Sequence, residues 1–302
     1  MAVEITAKPG QKDCFTDVVG LHVGQAHDDE VNTGVTVIIP EAPVTMGVDV
    51  RGGGPGTRDT DALDPTCLVE KVHGLVLSGG SVFGLAAADA ATNLLSNDNI
   101  GLSFGPRTVP VVPSAILFDL ANGGNKAWGG SPPYYGLGEE AYGKLTTHVE
   151  QGRAGAGYGA RAGDQLGGIG TASLVTQGGV IVSAIVAVNS FGKVTRDPNA
   201  THGIIDMPKL GFVGTNTSIG AVATNVALDK AGCKRLAIMS QDGFARSIRP
   251  IHTPFDGDTI FAMSTGAFSP KEEMAALLAV VGTLAADCVA RAVENAIKAS
   301  VS

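Results

Sequence analysis

The segment Gly214-Thr-Asn-Thr-Ser-Ile-Gly-Ala-Val-Ala-Thr224 sets a short polar run directly against a stretch with the composition of a buried strand. Small and β-branched residues from Ile219 to Thr224 favour a pleated backbone covered on both faces. Thr217 then stands at the entrance to that strand. On its residues alone, the polar run is either an ordinary loop or a special site at a strand entrance. Local chemistry leaves both open.

Upstream, Val180 to Val188 is a continuous β-branched run ended by Asn189, again the pattern of a central strand. Downstream, Lys230 to Ile248 reads as a helix, and Asp256-Gly257-Asp258 precedes a strand from Thr259 to Met263. A long C-terminal helix is expected over Lys271 to Lys298, with Leu277, Leu278, Val281, Leu284, Cys288 and Ala292 on one face. Ser269 and Glu272 have the spacing of a capping box there, and Pro270 suits a first helical turn.

The N-terminal half predicts strands at Val18 to Val23, Val35 to Ile39, Val44 to Val50 and His73 to Leu77. Helices are expected over Ser81 to Leu95 and Tyr135 to His148, with an apolar stretch, Val109 to Leu120, between them. Strands and helices come in blocks rather than strict alternation. That order predicts an α+β layered sandwich, sheets inside and helices outside, built as one domain over residues 1–302.

Composition narrows the function. A formal charge of −8 with no Lys/Arg cluster argues against a nucleic-acid surface. Only 17% of the residues are charged, which fits an oligomer better than a lone monomer. Cys14, Cys67, Cys233 and Cys288 lie far apart and form no CxxC pair, the pattern of reduced thiols in a cytoplasmic protein. The opening MAVEITAKPGQKDC lacks the apolar core of a signal peptide, and no unbroken apolar run is long enough to span a bilayer. No membrane partner is expected.

Several motifs have plain structural readings. Arg51 to Asp61 is glycine-rich but lacks the Gly-Lys-Ser/Thr ending of a phosphate loop. Gly155 to Ala160 approximates a dinucleotide fingerprint, yet Gly163, Gly167 and Gly168 follow where a helix should begin. Both are read as turns. Ser81 approaches a Gly-x-Ser-x-Gly elbow, but Phe83 occupies the last position, so a helix N-cap is the simpler role. The six histidines are dispersed, and neither a metal nor a cofactor is expected.

Taken together, several stretches resemble the self-processing family of L-aminopeptidase/D-esterase, the β-peptidyl aminopeptidases and the 6-aminohexanoate-oligomer (nylon) hydrolases. They are Gly54-Pro-Gly-Thr-Arg-Asp-Thr-Asp61, Leu77-Ser-Gly-Gly-Ser-Val-Phe-Gly84, Gly167-Gly-Ile-Gly-Thr-Ala-Ser173, Val186-Ala-Val-Asn-Ser190, Asn216-Thr-Ser-Ile-Gly-Ala-Val-Ala-Thr-Asn225 and Arg249-Pro-Ile-His-Thr-Pro-Phe-Asp-Gly-Asp-Thr259.

The resemblance implies a four-layer αββα fold of the N-terminal-nucleophile type. It also implies self-cleavage at Asn216–Thr217 into residues 1–216 and 217–302, with processed heterodimers assembled into a homo-oligomer. Thr217 matches the nucleophile, Asn189 the asparagine near the oxyanion, and Asp256 and Asp258 an acidic pair that orients the nucleophile. Tyr134 matches an active-site tyrosine that meets substrate. Threonine with Asp-Gly-Asp is similar to the nylon-oligomer branch, which makes an amidase on ω-amino-acid oligomers the leading expectation. Alternatives are an aminopeptidase releasing N-terminal α- or β-amino acids, an acyltransferase, or a binding protein that kept the fold. One departure stands out: the nylon-branch pattern has a lysine after the glycine matching Gly163, where this chain has Asp164. Lys193 is a second cation near Asn189 in sequence.

Overall fold

The computed structural model describes residues 5–195, 216–269 and 273–301. Its strands are β1 (Ala7–Pro9), β2 (Leu21–Asp28), β3 (Thr33–Pro40), β4 (Thr45–Val50), β5 (Thr57–Arg58), β6 (Leu75–Ser78), β7 (Ser114–Ile116), β8 (Gly168–Thr176), β9 (Ile181–Asn189), β10 (Thr217–Val226) and β11 (Thr259–Phe268). Short two-stranded pairings at the periphery add to these. The α-helices are α1 (Ala86–Asn97), α2 (Tyr134–Gly143), α3 (Lys230–Ser247) and α4 (Met274–Ser300).

A six-stranded sheet runs β1-β8-β9-β10-β11-β4, and a five-stranded sheet runs β2-β3-β6-β7-β5. In the first, β10 and β11 pair in parallel while the other neighbours are antiparallel. The parallel pair brings the starts of β10 and β11 to the same edge. Antiparallel β9 ends there too, with Asn189 opposite Thr217. That topology places the candidate residues together although they lie far apart in sequence.

Three apolar clusters define four layers. Leu21, Val23, Ile38, Leu75 and Leu77 of one sheet meet Ile169, Ile185, Ile219, Phe261 and Met263 of the other. On the far side of the six-stranded sheet, Val182, Val186, Val222 and Ile260 pack on Leu236 and Phe244 of α3 and Val281, Val289 and Val293 of α4. On the far side of the five-stranded sheet, Val35, Val37 and Val76 pack on Ala87, Ala91, Leu95 and Leu137 of α1 and α2. Strands β9 and β10 have apolar side chains on both faces because each face meets a layer. The expected αββα sandwich is the fold observed.

Most sequence expectations hold, and the differences have physical causes. Strand β8 is rich in glycine and small residues and does not read as a strand. A Cβ at Gly170 would meet the Ala292 carbonyl of α4 at 2.1 Å, so glycine there lets the helix lie directly on the sheet. Helix α2 stops at Gly143 rather than His148 because Thr146 and Val23 exchange backbone hydrogen bonds at 2.9 and 3.1 Å. The stretch from Val109 to Leu120 supplies only β7 to the five-stranded sheet, since Pro110 and Pro113 interrupt it. Ser81 does not cap: it takes φ 53°, and the residue at the N-cap is Gly80. Pro270 and Glu272 of the expected capping box lie outside the described residues.

On α4, Leu277, Val281, Leu284, Cys288 and Ala292 are buried as the stripe predicts, with Leu278 partly covered. This helix is long and apolar enough to cross a membrane by length and composition. Its apolar stripe, however, is spent on the six-stranded sheet and α3.

Candidate active site

Thr217 opens β10 and is buried, 1% exposed. With the Asn216–Thr217 bond intact, its hydroxyl donates to the Asn216 carbonyl oxygen at 2.5 Å. The same oxygen accepts the Gly257 N–H at 3.0 Å. Two donors thus converge on the carbonyl of the bond expected to break. A Cβ at Gly257 would approach the Thr217 hydroxyl oxygen to 2.7 Å, so the absence of a side chain lets this backbone sit against that hydroxyl.

Asp256 and Asp258 flank that glycine, and both are fully buried. Each is held by hydrogen-bond donors. Asp256 Oδ1 accepts the Phe191 N–H at 3.1 Å, and its Oδ2 accepts the N–H and hydroxyl of Thr253 at 2.9 and 2.5 Å. Asp258 Oδ1 accepts the Ser218 N–H at 2.8 Å, and its Oδ2 accepts the His252 N–H at 3.1 Å and meets His252 Nδ1 at 2.9 Å. Burial and then the neighbouring Asp258 charge push Asp256 up to about 6, against which its hydrogen bonds pull down. In the continuous chain Asp256 is held by Phe191 and Thr253, and Asp258 by Ser218 and His252. Asp258 reaches β10 through the amide of Ser218, the residue after Thr217.

The glycine loop at Arg51 explains itself here. Arg51 and Gly52 donate to the Asp258 carbonyl at 2.9 and 3.3 Å, and Gly54 donates to the Asp256 carbonyl at 2.8 Å. The loop's amides hold the acidic turn; they cradle no phosphate.

Asn189 closes β9 opposite Thr217, but its side chain faces other partners in the continuous chain. Its Nδ2 donates to the Phe118 carbonyl at 2.8 Å, and its Oδ1 accepts from Asn122 Nδ2 and the Arg161 N–H, both at 2.9 Å. The Asn216 carbonyl is held by Gly257, and Asn189 Nδ2 is turned to Phe118. Among the described residues this leaves one Nδ2 hydrogen of Asn189 without a partner.

Tyr134 lies a layer away, fully buried at the start of α2 among α1 and α2 side chains. Among the described residues its hydroxyl has no partner at full hydrogen-bond geometry; burial followed by the nearby Asp119 charge pushes the phenol upward, and the Thr33 hydroxyl pulls it back. Asp119 is the link between this tyrosine and the site. Its oxygens accept the Gly80 N–H at 2.9 Å and the Thr33 hydroxyl at 2.6 Å, and the preceding carbonyl is the one Asn189 binds. Burial raises the Asp119 carboxyl, partly offset by Thr33 and Lys126.

Asp164 and Lys193 form an ion pair at 3.0 Å, and the Lys193 hydrogen bond holds the Asp164 carboxyl below its usual range. The lysine expected after Gly163 is thus replaced by an acid that engages the second cation.

Sequence reading missed Gly257's amide, His252, Thr253 and Asp119. Only Asp119 carried a local signal, a single acid ending the apolar stretch Val109 to Leu120. Among the described residues no group of three or more His, Cys, Asp or Glu is placed to hold a metal ion.

The model of peptidase family S58 matches residues 13–302. This chain belongs to that family. It is 40% identical to an uncharacterised aminopeptidase of Mycobacterium tuberculosis, with 92% of each chain covered. It is 28% identical to the 6-aminohexanoate-oligomer endohydrolase of Kocuria sp., covering 85% of this chain and 76% of that one. Its fold is similar to the L-aminopeptidase D-Ala-esterase/amidase of Ochrobactrum anthropi, described as a variant among the Ntn hydrolase fold. The TM-score is 0.77 at 23% identity, over 99% of this chain and 89% of that one. The S58 chain described here is an amide hydrolase of the aminopeptidase/amidase type.

Proposed function

We propose that this S58 hydrolase is an aminopeptidase that becomes active when Thr217 is released as a new N-terminus. The observation that carries the proposal is the Thr217 hydroxyl lying 2.5 Å from the Asn216 carbonyl oxygen, with the Gly257 N–H on that same oxygen. In scission, Thr217 Oγ bonds to the Asn216 carbonyl carbon and the C–N bond to Thr217 breaks. The hydroxyl proton ends on the Thr217 nitrogen. Water then opens the ester, leaving a carboxylate on Asn216 and restoring the hydroxyl.

In turnover the freed amine accepts the hydroxyl proton as Oγ attacks a substrate amide. An α-amine has an ordinary pKa of about 7.7–8.0, so a neutral fraction is present near neutrality. Before scission that nitrogen is an amide and has no basicity to offer. Asn189 Nδ2 would donate to the oxyanion of the acyl-transfer step. A homo-oligomer of processed heterodimers remains the assembly we expect.

Two observations favour aminopeptidase action over endohydrolysis of ω-amino-acid oligomers. The Mycobacterium tuberculosis aminopeptidase is 40% identical, against 28% for the Kocuria oligomer endohydrolase. In addition, Asp164 stands where the nylon-branch pattern has a lysine, and it is paired with Lys193. The Thr217 with Asp-Gly-Asp pattern supports the second reading, so oligomers remain a substrate class to assay.

Intact mass and activity of wild type and Thr217→Ala test the proposal. Wild type is expected as two fragments that cleave dipeptides with a free amine faster than capped ones. Thr217→Ala is expected as one 30.5 kDa chain, with turnover reduced on the order of 10⁶-fold. Cleavage or turnover surviving in Thr217→Ala would refute it.

A further inference from the structure

His252 takes φ 56°, a left-handed backbone that a residue with a Cβ adopts at a cost. That conformation directs two of its nitrogens at one oxygen. Its N–H donates to Asp258 Oδ2 at 3.1 Å, and its Nδ1 lies 2.9 Å from the same atom. With the backbone donor already on that oxygen, a ring hydrogen on Nδ1 completes the contact. The imidazole stands edge-on to Phe244 of α3 at 6.4 Å, and its Nε2 is buried without a partner among the described residues. Among the described residues the hydrogen-bonding partner of this strained turn's two nitrogens is Asp258.

The other oxygen of Asp258 holds the Ser218 N–H. While the chain is continuous, Thr217 is tethered on both sides, with the Asn216 carbonyl fixed by Gly257. Once the bond breaks, Thr217 becomes a chain end, and chain ends fray unless tied down. Beside the β9 pairing at Val188 and Asn189, the Ser218–Asp258 hydrogen bond is then a side-chain tether one peptide from the nucleophile. We propose that His252 is a positioning residue for turnover: it clamps Asp258 so that the freed Thr217 terminus stays in register with Asn189. This rests on Thr217 being the nucleophile, and it adds a residue whose importance begins after scission.

The test uses the full chain with His252→Gly, His252→Asn and, in parallel, Thr217→Ala. Glycine accepts the left-handed backbone but offers no side-chain donor. Asparagine tolerates that backbone and carries an N–H₂ on Cγ, where His carries Nδ1. Both His252 variants are expected to self-cleave. His252→Gly should lose on the order of 10- to 100-fold in kcat with KM little changed, since misplacing a reacting group costs rate rather than binding. The Ser218 amide should exchange with solvent faster in that variant. His252→Asn should restore both toward wild type.

A wild-type kcat in His252→Gly overturns the proposal, and so does a folded His252→Asn with kcat far below wild type. An uncut His252→Gly chain overturns it as well, because His252 would then act in scission. If Thr217→Ala is cut or active, the nucleophile assignment fails first.

Discussion

Strands β9 and β10 run through two different environments. Along most of their length, Val182, Val186 and Val222 face α3 and α4, and Ile185 and Ile219 face the second sheet, all without exposure. At one end, Asn189, Thr217, Asp256 and Asp258 are equally buried, yet every carboxylate oxygen is spoken for by backbone amides, a threonine and a histidine. Apolar burial needs only shape and stabilises the fold directly. Burying two neighbouring carboxylates costs stability unless donors converge on them, as they do here.

The apolar end should break by stability alone. Leu236→Ala, in the cluster between α3 and the six-stranded sheet, is expected to lose about 2–5 kcal/mol of unfolding free energy. Denaturant titration would read that loss, while kcat per folded molecule stays at the wild-type value.

The polar end should break by rate. Asn189→Ala is expected to raise the turnover barrier by about 2.7–4 kcal/mol, the usual cost of one oxyanion donor. Self-cleavage should proceed in the same variant, because Gly257 holds the Asn216 oxygen. Single-turnover assays beside fragment analysis on a gel separate the two outcomes, and loss of both together would give Asn189 a part in scission.

The cost of the acidic pair can be read from pH. Asp256 is raised to about 6 in the fold from an ordinary 3.8. Its proton therefore stabilises the native state fully below the unfolded value, and that stability is lost as pH rises through about 6. Relative to Asp256→Asn, the wild type should gain ~1–3 kcal/mol as pH falls from 7 to 4. Unfolding midpoints of both proteins across that range would show it, and parallel curves would contradict it.

The smallest effect is expected at the rim. Asp164→Lys breaks the ion pair with Lys193 at an exposed position, so the unfolding midpoint should hardly move. Relative rates on ω-amino-acid oligomers and free-amine dipeptides would show whether that position sorts substrates.

Legibility in the sequence divides along the same line. The β-branched runs at Val180 to Val188 and Ile219 to Thr224, and the stripe on α4, were readable because periodicity reports burial directly. Strand β8 was not, since its glycines answer to a helix contacted more than a hundred residues later. The site was legible only through the joint resemblance of several segments; Thr217 alone is one threonine before a strand. His252 and the Gly257 amide left no trace in composition, because their roles depend on direction rather than residue type.

By itself, then, the sequence determined the layers, the strand that Thr217 opens and the acidic turn that follows, since hydrophobic patterning and turn chemistry are local properties. The tertiary structure alone decided that Gly257 rather than Asn189 holds the Asn216 oxygen, and that His252 serves Asp258. Hydrogen bonds are directional and act over about 3 Å, so which donor meets which acceptor is set only when β9, β10 and β11 come together at one edge.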